Sequence, residues 1–238
     1  MRTRRTRWRP GGGAPMLLCA ALLASGAVRA ADSEEFWPEL SAYYRLNPQA
    51  RLFLDGSWTK GKESDVYSGE TGLYADITLK ALQGKSLLNL DWQRDQTIWM
   101  RAGYDRIFDA TGGTRSHAED RGVLAIYAKA TVPGAVVLES RLRADLRWIG
   151  GDYSTRYRFR VEANRDYTVL DHTLTPYLNV ECLYDTRYDG WARTLYQGGS
   201  EFTVTSHFRF ELYLARQADR LPTSSTLNAA GVVAKWYY

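Results

Sequence analysis

Charged and apolar side chains alternate strictly along Val137–Trp148. Glu139, Arg141, Arg143, Asp145 and Arg147 fall on one parity, and Leu138, Ser140, Leu142, Ala144, Leu146 and Trp148 on the other. Successive side chains of a strand point to opposite faces, so this pattern makes one charged face and one apolar face; at helical spacing the same charges would spread around the circumference. The next segment repeats it, with Arg156, Arg158, Arg160 and Glu162 set against Tyr157, Phe159, Val161 and Ala163. Alternation combined with turn signals predicts about twelve strands, at roughly 35–46, 49–59, 70–80, 86–93, 96–106, 120–131, 135–149, 153–164, 173–184, 190–203, 206–217 and 226–238. Asn47-Pro48, Gly84-Lys85, Pro133-Gly134, Gly150-Gly151-Asp152 and Asp189-Gly190 separate them. Ten strands is the alternative count.

Alternation does not say which face is inside. A soluble barrel or sandwich buries its apolar face, whereas a membrane barrel turns that face to lipid and keeps the polar face in its lumen. Strand lengths near ten residues suit a tilted bilayer crossing, and twelve strands enclose a lumen too wide for one apolar layer to fill. Aromatics near strand ends (Trp58, Trp92, Trp99, Trp148, Trp191 and Trp236, with Tyr44, Tyr104, Tyr153 and Tyr184) read as two girdles at headgroup level. The chain closes in an alternating strand, Gly231–Tyr238, that resembles the assembly signal of outer-membrane proteins. The expected fold is therefore an all-β, closed antiparallel transmembrane barrel with both termini periplasmic. In that arrangement connections 93–96, 132–134 and 204–206 share the short-turn side, and 107–119 and 218–225 the long-loop side. The first hairpin disagrees: Asn47-Pro48 is short where a loop belongs, and 60–69 is long where a turn belongs.

The first thirty residues read as a signal peptide: Arg2, Arg4, Arg5, Arg7 and Arg9, an apolar run from Ala14 to Val28, then small residues up to Ala30. That leaves 31–238 as a single barrel domain delivered to the cell outer membrane. Of the 31 Lys and Arg, six lie within 1–30 and none of the 27 Asp and Glu does, so a net charge of +4 becomes −2 on cleavage. Basicity thus gives no support to nucleic-acid binding. Cys182 remains as the only cysteine beyond the leader, which excludes an internal disulfide.

The segments FWPELSAYYRLNP, LDWQRDQTIWMRAGYDRI, LRADLRWIGGDYSTRYRFRVE, TPYLNVECLYD and ELYLARQAD, with the terminal strand, resemble an uncharacterised outer-membrane barrel family, domain of unknown function 2490. The resemblance covers roughly 35–238. It implies a barrel in the outer membrane of a Gram-negative bacterium and carries no activity or functional residue with it.

The concentrated chemistry is the polar face. Glu139, Arg141, Arg143, Asp145, Arg147, Arg156, Arg158, Arg160, Glu162, Glu181, Asp185, Arg209 and Glu211 are expected to point into the lumen. As mixed-sign ladders they would pair across strands and fill a structural barrel; as an arginine-rich wall they would line a narrow pore for small, anionic solutes. A lipid hydrolase is a third class, but Ser206 and His207 are neighbours on a strand and point to opposite faces, against the hydrogen bond a dyad needs. An interaction or assembly barrel acting through the loops 107–119 and 218–225 is a fourth. Three scattered histidines give no metal-ligand spacing, and no glycine-rich phosphate loop is present, so no cofactor is expected. The expected partners are outer-membrane lipids and lipopolysaccharide, and the assembly machinery reading the strand that ends in Tyr238.

Overall fold

The computed structural model describes residues 33–61, 67–81, 96–109, 118–170 and 172–238. All of its regular structure is strand: β1 (Ser33–Asn47), β2 (Ala50–Gly61), β3 (Tyr67–Ala81), β4 (Gln96–Asp109), β5 (Glu119–Val132), β6 (Val136–Ile149), β7 (Asp152–Asn164), β8 (Tyr167–Val169), β9 (His172–Asp185), β10 (Gly190–Thr203), β11 (Phe208–Asp219) and β12 (Ser225–Tyr237). Each follows its predecessor by an antiparallel pairing except at two places. The short β8 continues the β7–β9 hairpin past a break at Arg165-Asp166 and pairs with β9 alone, outside the ring. The ring of eleven strands is closed by β1 on β12, and those two run parallel, Ser33 opposite Leu227 and Tyr43 opposite Tyr237.

The closed all-β barrel is the expected one; its closure is not. An antiparallel ring with both chain ends on one side needs an even number of strands. Here β3 pairs directly with β4, Tyr74 opposite Gly103, so the ring is odd and mixed. The strand expected at 86–93 lies outside the described residues. Consequently the start of β1 and the end of β12 stand at opposite ends of the barrel. The odd count also removes the anomaly of the first hairpin. Connections 48–49, 133–135 and 204–207 now share one end, termed the turn end, and 62–66, 110–118 and 220–224 share the other, the loop end. The longer connection 82–95, at the turn end, lies outside the described residues.

Side-chain alternation matches the sequence pattern. Phe36, Leu40, Leu54, Leu73, Leu142 and Leu214 stand exposed on the outer surface, while Tyr74, Asp76, Val123, Asp145 and Asp185 on the other parity are buried inside. Of the expected girdle, Trp58, Trp148, Trp191 and Trp236 face outward; Trp92 lies outside the described residues. Trp99 corrects the expectation: it shares parity with Arg101 and Asp105, and it is fully buried in the interior. Two inner-wall glycines admit large rings against the sheet. Tyr74 lies over Gly103 and Tyr213 over Gly231, and a methyl group at either position would overlap the ring. The β6–β7 turn needs positive φ at two successive residues, 60° at Gly150 and 95° at Gly151, which explains the Gly-Gly pair.

Candidate functional site: the barrel interior

On the wall formed by β5, β6, β7 and β9, alternation delivers so many charges to one surface that each must find an opposite sign within reach. Cross-strand register provides them: Asp145 stands opposite Arg156, and Arg160 opposite Glu181. Arg147 Nε donates to Glu119 at 2.6 Å and its Nη1 to Asp185 at 2.7 Å. Arg156 Nη2 donates to the same Asp185 oxygen at 3.1 Å. Arg143 Nη2 donates to Asp105 at 2.8 Å and its Nε to Asp145, whose other oxygen lies 2.9 Å from Arg158 Nε. Arg121 Nη2 donates to Glu119 at 3.0 Å and its Nη1 to Glu70 at 3.3 Å. Glu181 accepts from Arg141 and lies 3.6 Å from Arg158. Because Asp105, Asp145 and Asp185 are wholly shielded from solvent, this network is a buried floor in which each of these carboxylates lies within ion-pair distance of at least two arginines, as low dielectric requires.

A second group lies on β12, β1, β2 and β3, where register sets rings side by side. Tyr237, Tyr43, Phe53 and Tyr74 stack in sequence, with centroids 4.8, 4.6 and 5.1 Å apart. Trp99 stacks on Tyr127 at 4.7 Å. Arginines close off the ring faces: Arg51 lies 4.5 Å over Tyr43, Arg101 4.2 Å over Phe53, and Arg209 4.8 Å over Tyr237. Asp76 ties Arg51 and Arg101 together, each through an Nε bond of 2.7 Å. On the β10–β12 side, Lys235 donates to Glu201 at 2.8 Å and to Glu211, Arg209 donates to Glu201 at 3.1 Å, and Tyr177 donates to Glu211.

Between these groups lies a cavity of about 860 Å³. Its lining reaches Thr131, Val137, Asn164 and Asp166, beside the connections of the turn end, so it opens there. Towards the loop end the lining extends to Trp37 on β1 and Glu70 on β3 but stops short on the β6–β11 side. No described residue flanking 150–151, 186–189 or 220–224 lines it, and Glu119, Asp145, Arg147 and Asp185 fill that side. Carboxylates and cations line it in nearly equal number. Among the described residues the interior thus has two parts, a floor of ion pairs on the β5–β9 wall and, beside it, an open cup.

The thirteen residues singled out by sequence therefore fall into two groups. Glu139, Arg141, Arg143, Arg160, Glu162, Arg209 and Glu211 line the cavity; Asp145, Arg147, Arg156, Arg158, Glu181 and Asp185 are packed into ion pairs away from it. Glu139 lies 3.8 Å from Lys129 and 3.7 Å from Arg160, and Glu162 accepts from Asn164 at 3.1 Å. Sequence reasoning passed over Glu39, Asp55, Glu70, Asp76, Arg51, Arg101, Asp105, Glu119, Arg121, Glu201 and Lys235, and the whole aromatic ladder. Their parity on each strand was a usable signal, but they are spread thinly over many strands where β6 and β7 carry dense runs. Cys182 sits on the outer parity beside Val180 and Tyr184, partly exposed. His207 Nδ1 lies 2.8 Å from the Tyr237 carbonyl oxygen and His172 Nδ1 3.3 Å from that of Thr203, while His117 lies outside the described residues. Among the described residues no group of His, Cys, Asp and Glu is arranged to hold a metal ion.

The family model described as protein of unknown function (DUF2490) matches residues 34–228. No curated protein matches the chain.

Proposed function

The chain belongs to the DUF2490 family of proteins of unknown function, and from that premise we propose that it is an outer-membrane barrel whose lumen is closed towards the cell exterior and does not serve as a through-pore. The observation that carries this reading is the inside-out distribution of side chains around an interior whose β5–β9 wall is filled by ion pairs on the loop-end side. Among the described outward-facing strand residues, charge is confined to the rim of the loop end, at Glu34, Arg106, Asp120 and Arg216. Below that rim the described outward-facing strand residues include no Asp, Glu, Lys or Arg and are predominantly apolar down to the turns. Aromatic pairs border the band at both ends: Trp148 with Tyr153 and Tyr184 with Trp191 at the loop end, Phe208 with Trp236 at the turn end.

In this reading the short connections and the end of β12 face the periplasm, where the assembly machinery would engage the strand closing on Tyr238. The loop end, with its exposed Arg106 and Asp120, meets the lipopolysaccharide headgroups. The charges of β5–β9 act as the framework that fills and seals the barrel. No enzymatic role is proposed; the His207 ring is engaged by the Tyr237 carbonyl rather than by Ser206.

Two measurements test the reading. Cell fractionation should recover the protein in the outer membrane, and the purified barrel in planar bilayers should be electrically silent. Recovery in a soluble fraction would overturn the membrane assignment. A stable open conductance of the wild-type protein would instead favour the narrow, anion-attracting pore.

A further inference from the structure

Within the cavity, an acid pair without a neighbouring cation and a loosely paired arginine stand on opposite walls. Ser41 Oγ lies 3.1 Å from Glu39 and 2.9 Å from Asp55, and neither carboxylate has a cation within ion-pair distance among the described residues. Glu39 and Asp55 are also hydrogen-bonded to one another, so the pair shares a proton, and with the one proton of the serine hydroxyl it still leaves acceptor positions open. Arg160 makes one ion pair among the described residues, a long 3.7 Å approach to Glu139, and its side chain is 24% exposed. By contrast Arg143, Arg147 and Arg156 each sit within hydrogen-bond distance of a buried aspartate.

The ring places these groups face to face. Asp55 is on β2 and Arg160 on β7, which stand five pairings apart in one direction and six in the other. Eleven strands spaced about 4.8 Å and tilted about 40° put opposite backbones roughly 22 Å apart. Arms reaching inward from both walls leave a gap of small-molecule width between the two signs. Glu39, Asp55 and Arg160 all line the one cavity, whose volume of about 860 Å³ lies within the range of small-ligand sites. The aromatic rings do not compete as a binding platform, because neighbouring rings and arginines cover their faces.

We propose that this cavity binds small zwitterions of amino-acid or short-peptide type, the ammonium on Glu39 and Asp55 and the carboxylate on Arg160, entering from the turn end. An acid pair opposite an arginine rewards a ligand that carries both charges and leaves a monopole with one group unmatched; Glu139 and Glu162 line the cavity on the Arg160 side as well. The proposal rests on the closed-barrel reading for its direction of access.

The experiment is calorimetric titration of the full barrel, refolded in detergent micelles, with three probes of one skeleton: alanyl-alanine, its N-acetyl derivative and its C-terminal amide. The free dipeptide should bind at least about tenfold more tightly than either blocked form, the loss expected when one charge-assisted hydrogen-bonded group goes unmatched. R160Q should erase the gap between dipeptide and amide, D55N the gap between dipeptide and N-acetyl form, and R160K should keep the first gap. No heat with any probe at millimolar concentration, or equal binding of all three, overturns the proposal, and this arm needs no variant to fold. Bilayer silence is read separately, so a conducting barrel that still selects the zwitterion would sink the closed-barrel reading alone.

Discussion

The floor and the cup share one interior and handle charge in opposite ways. In the floor, Asp145 and Asp185 are wholly buried and each lies between two arginines. In the cup, Glu39, Asp55 and Arg160 keep capacity to spare, beside space large enough for water. The difference follows from dielectric. Where water is excluded, an unmatched charge costs several kcal/mol and every carboxylate must be claimed by a cation. Where a cavity remains, hydration bears that cost and leaves charges available to a ligand. A strand pattern that looks uniform from outside thus builds a wall at one level and a receptor surface at another.

The sharpest way to break this contrast is to unbalance the floor. D145A leaves Arg143 and Arg158 facing one another without their shared carboxylate and should lower stability by about 3–5 kcal/mol, read as a fall in the urea midpoint of the barrel in lipid vesicles; D55N in the cup should change it far less. Equal losses would dissolve the distinction. Next in size is a charge on the outer face. L142R, at the middle of β6, should cost about 2–4 kcal/mol in a bilayer and much less in a soluble setting, so the same midpoint in vesicles tests whether that face meets lipid. The aromatic ladder ranks third. F53L keeps bulk but removes the two ring stacks of Phe53, for about 1 kcal/mol beyond its area term, seen as a small midpoint shift with an altered near-UV spectrum. Smallest is D120N. Arg106 and Asp120 are both well exposed at 3.3 Å, and loss of that pair should cost about 0–1 kcal/mol and fade with added salt.

Much of this architecture was legible because period-two alternation is a local property. Strands β5, β6, β7 and β10 begin and end within a residue or so of where the pattern sets them. The closure was not legible, because whether a ring is odd or even depends on one strand more or less, and the pairing of Ser33 with Leu227 has no local signature. One clue stood in plain view: the first hairpin with its loop lengths reversed was the mark of a parity error further along the chain. The tiny β8 escaped because three residues carry too little alternation to detect. In the interior, the dense runs of β6 and β7 drew attention to the charges that turn out most heavily paired, whereas Glu39 and Asp55, the open acids, stand singly among Trp37, Tyr43 and Phe53. Their meaning comes from a partner half a circumference away, and that is a property of the ring rather than of any strand.

The parallel seam between β1 and β12 also bears on how the molecule can be rewired. In an even barrel the first and last strands finish side by side, and a few residues join them into a circle, so the chain can be reopened elsewhere. Here β1 and β12 are neighbours in the sheet, yet Ser33 and Tyr237 sit at opposite rims. Any covalent bridge would have to run the full height of the wall, roughly 35–40 Å for a tilted strand of this length, over the outer face or down through the cup. For the same reason, epitopes fused just before β1 and just after β12 would emerge at opposite ends of the barrel. The circle formed by the backbone hydrogen bonds is one that a short peptide linker cannot complete.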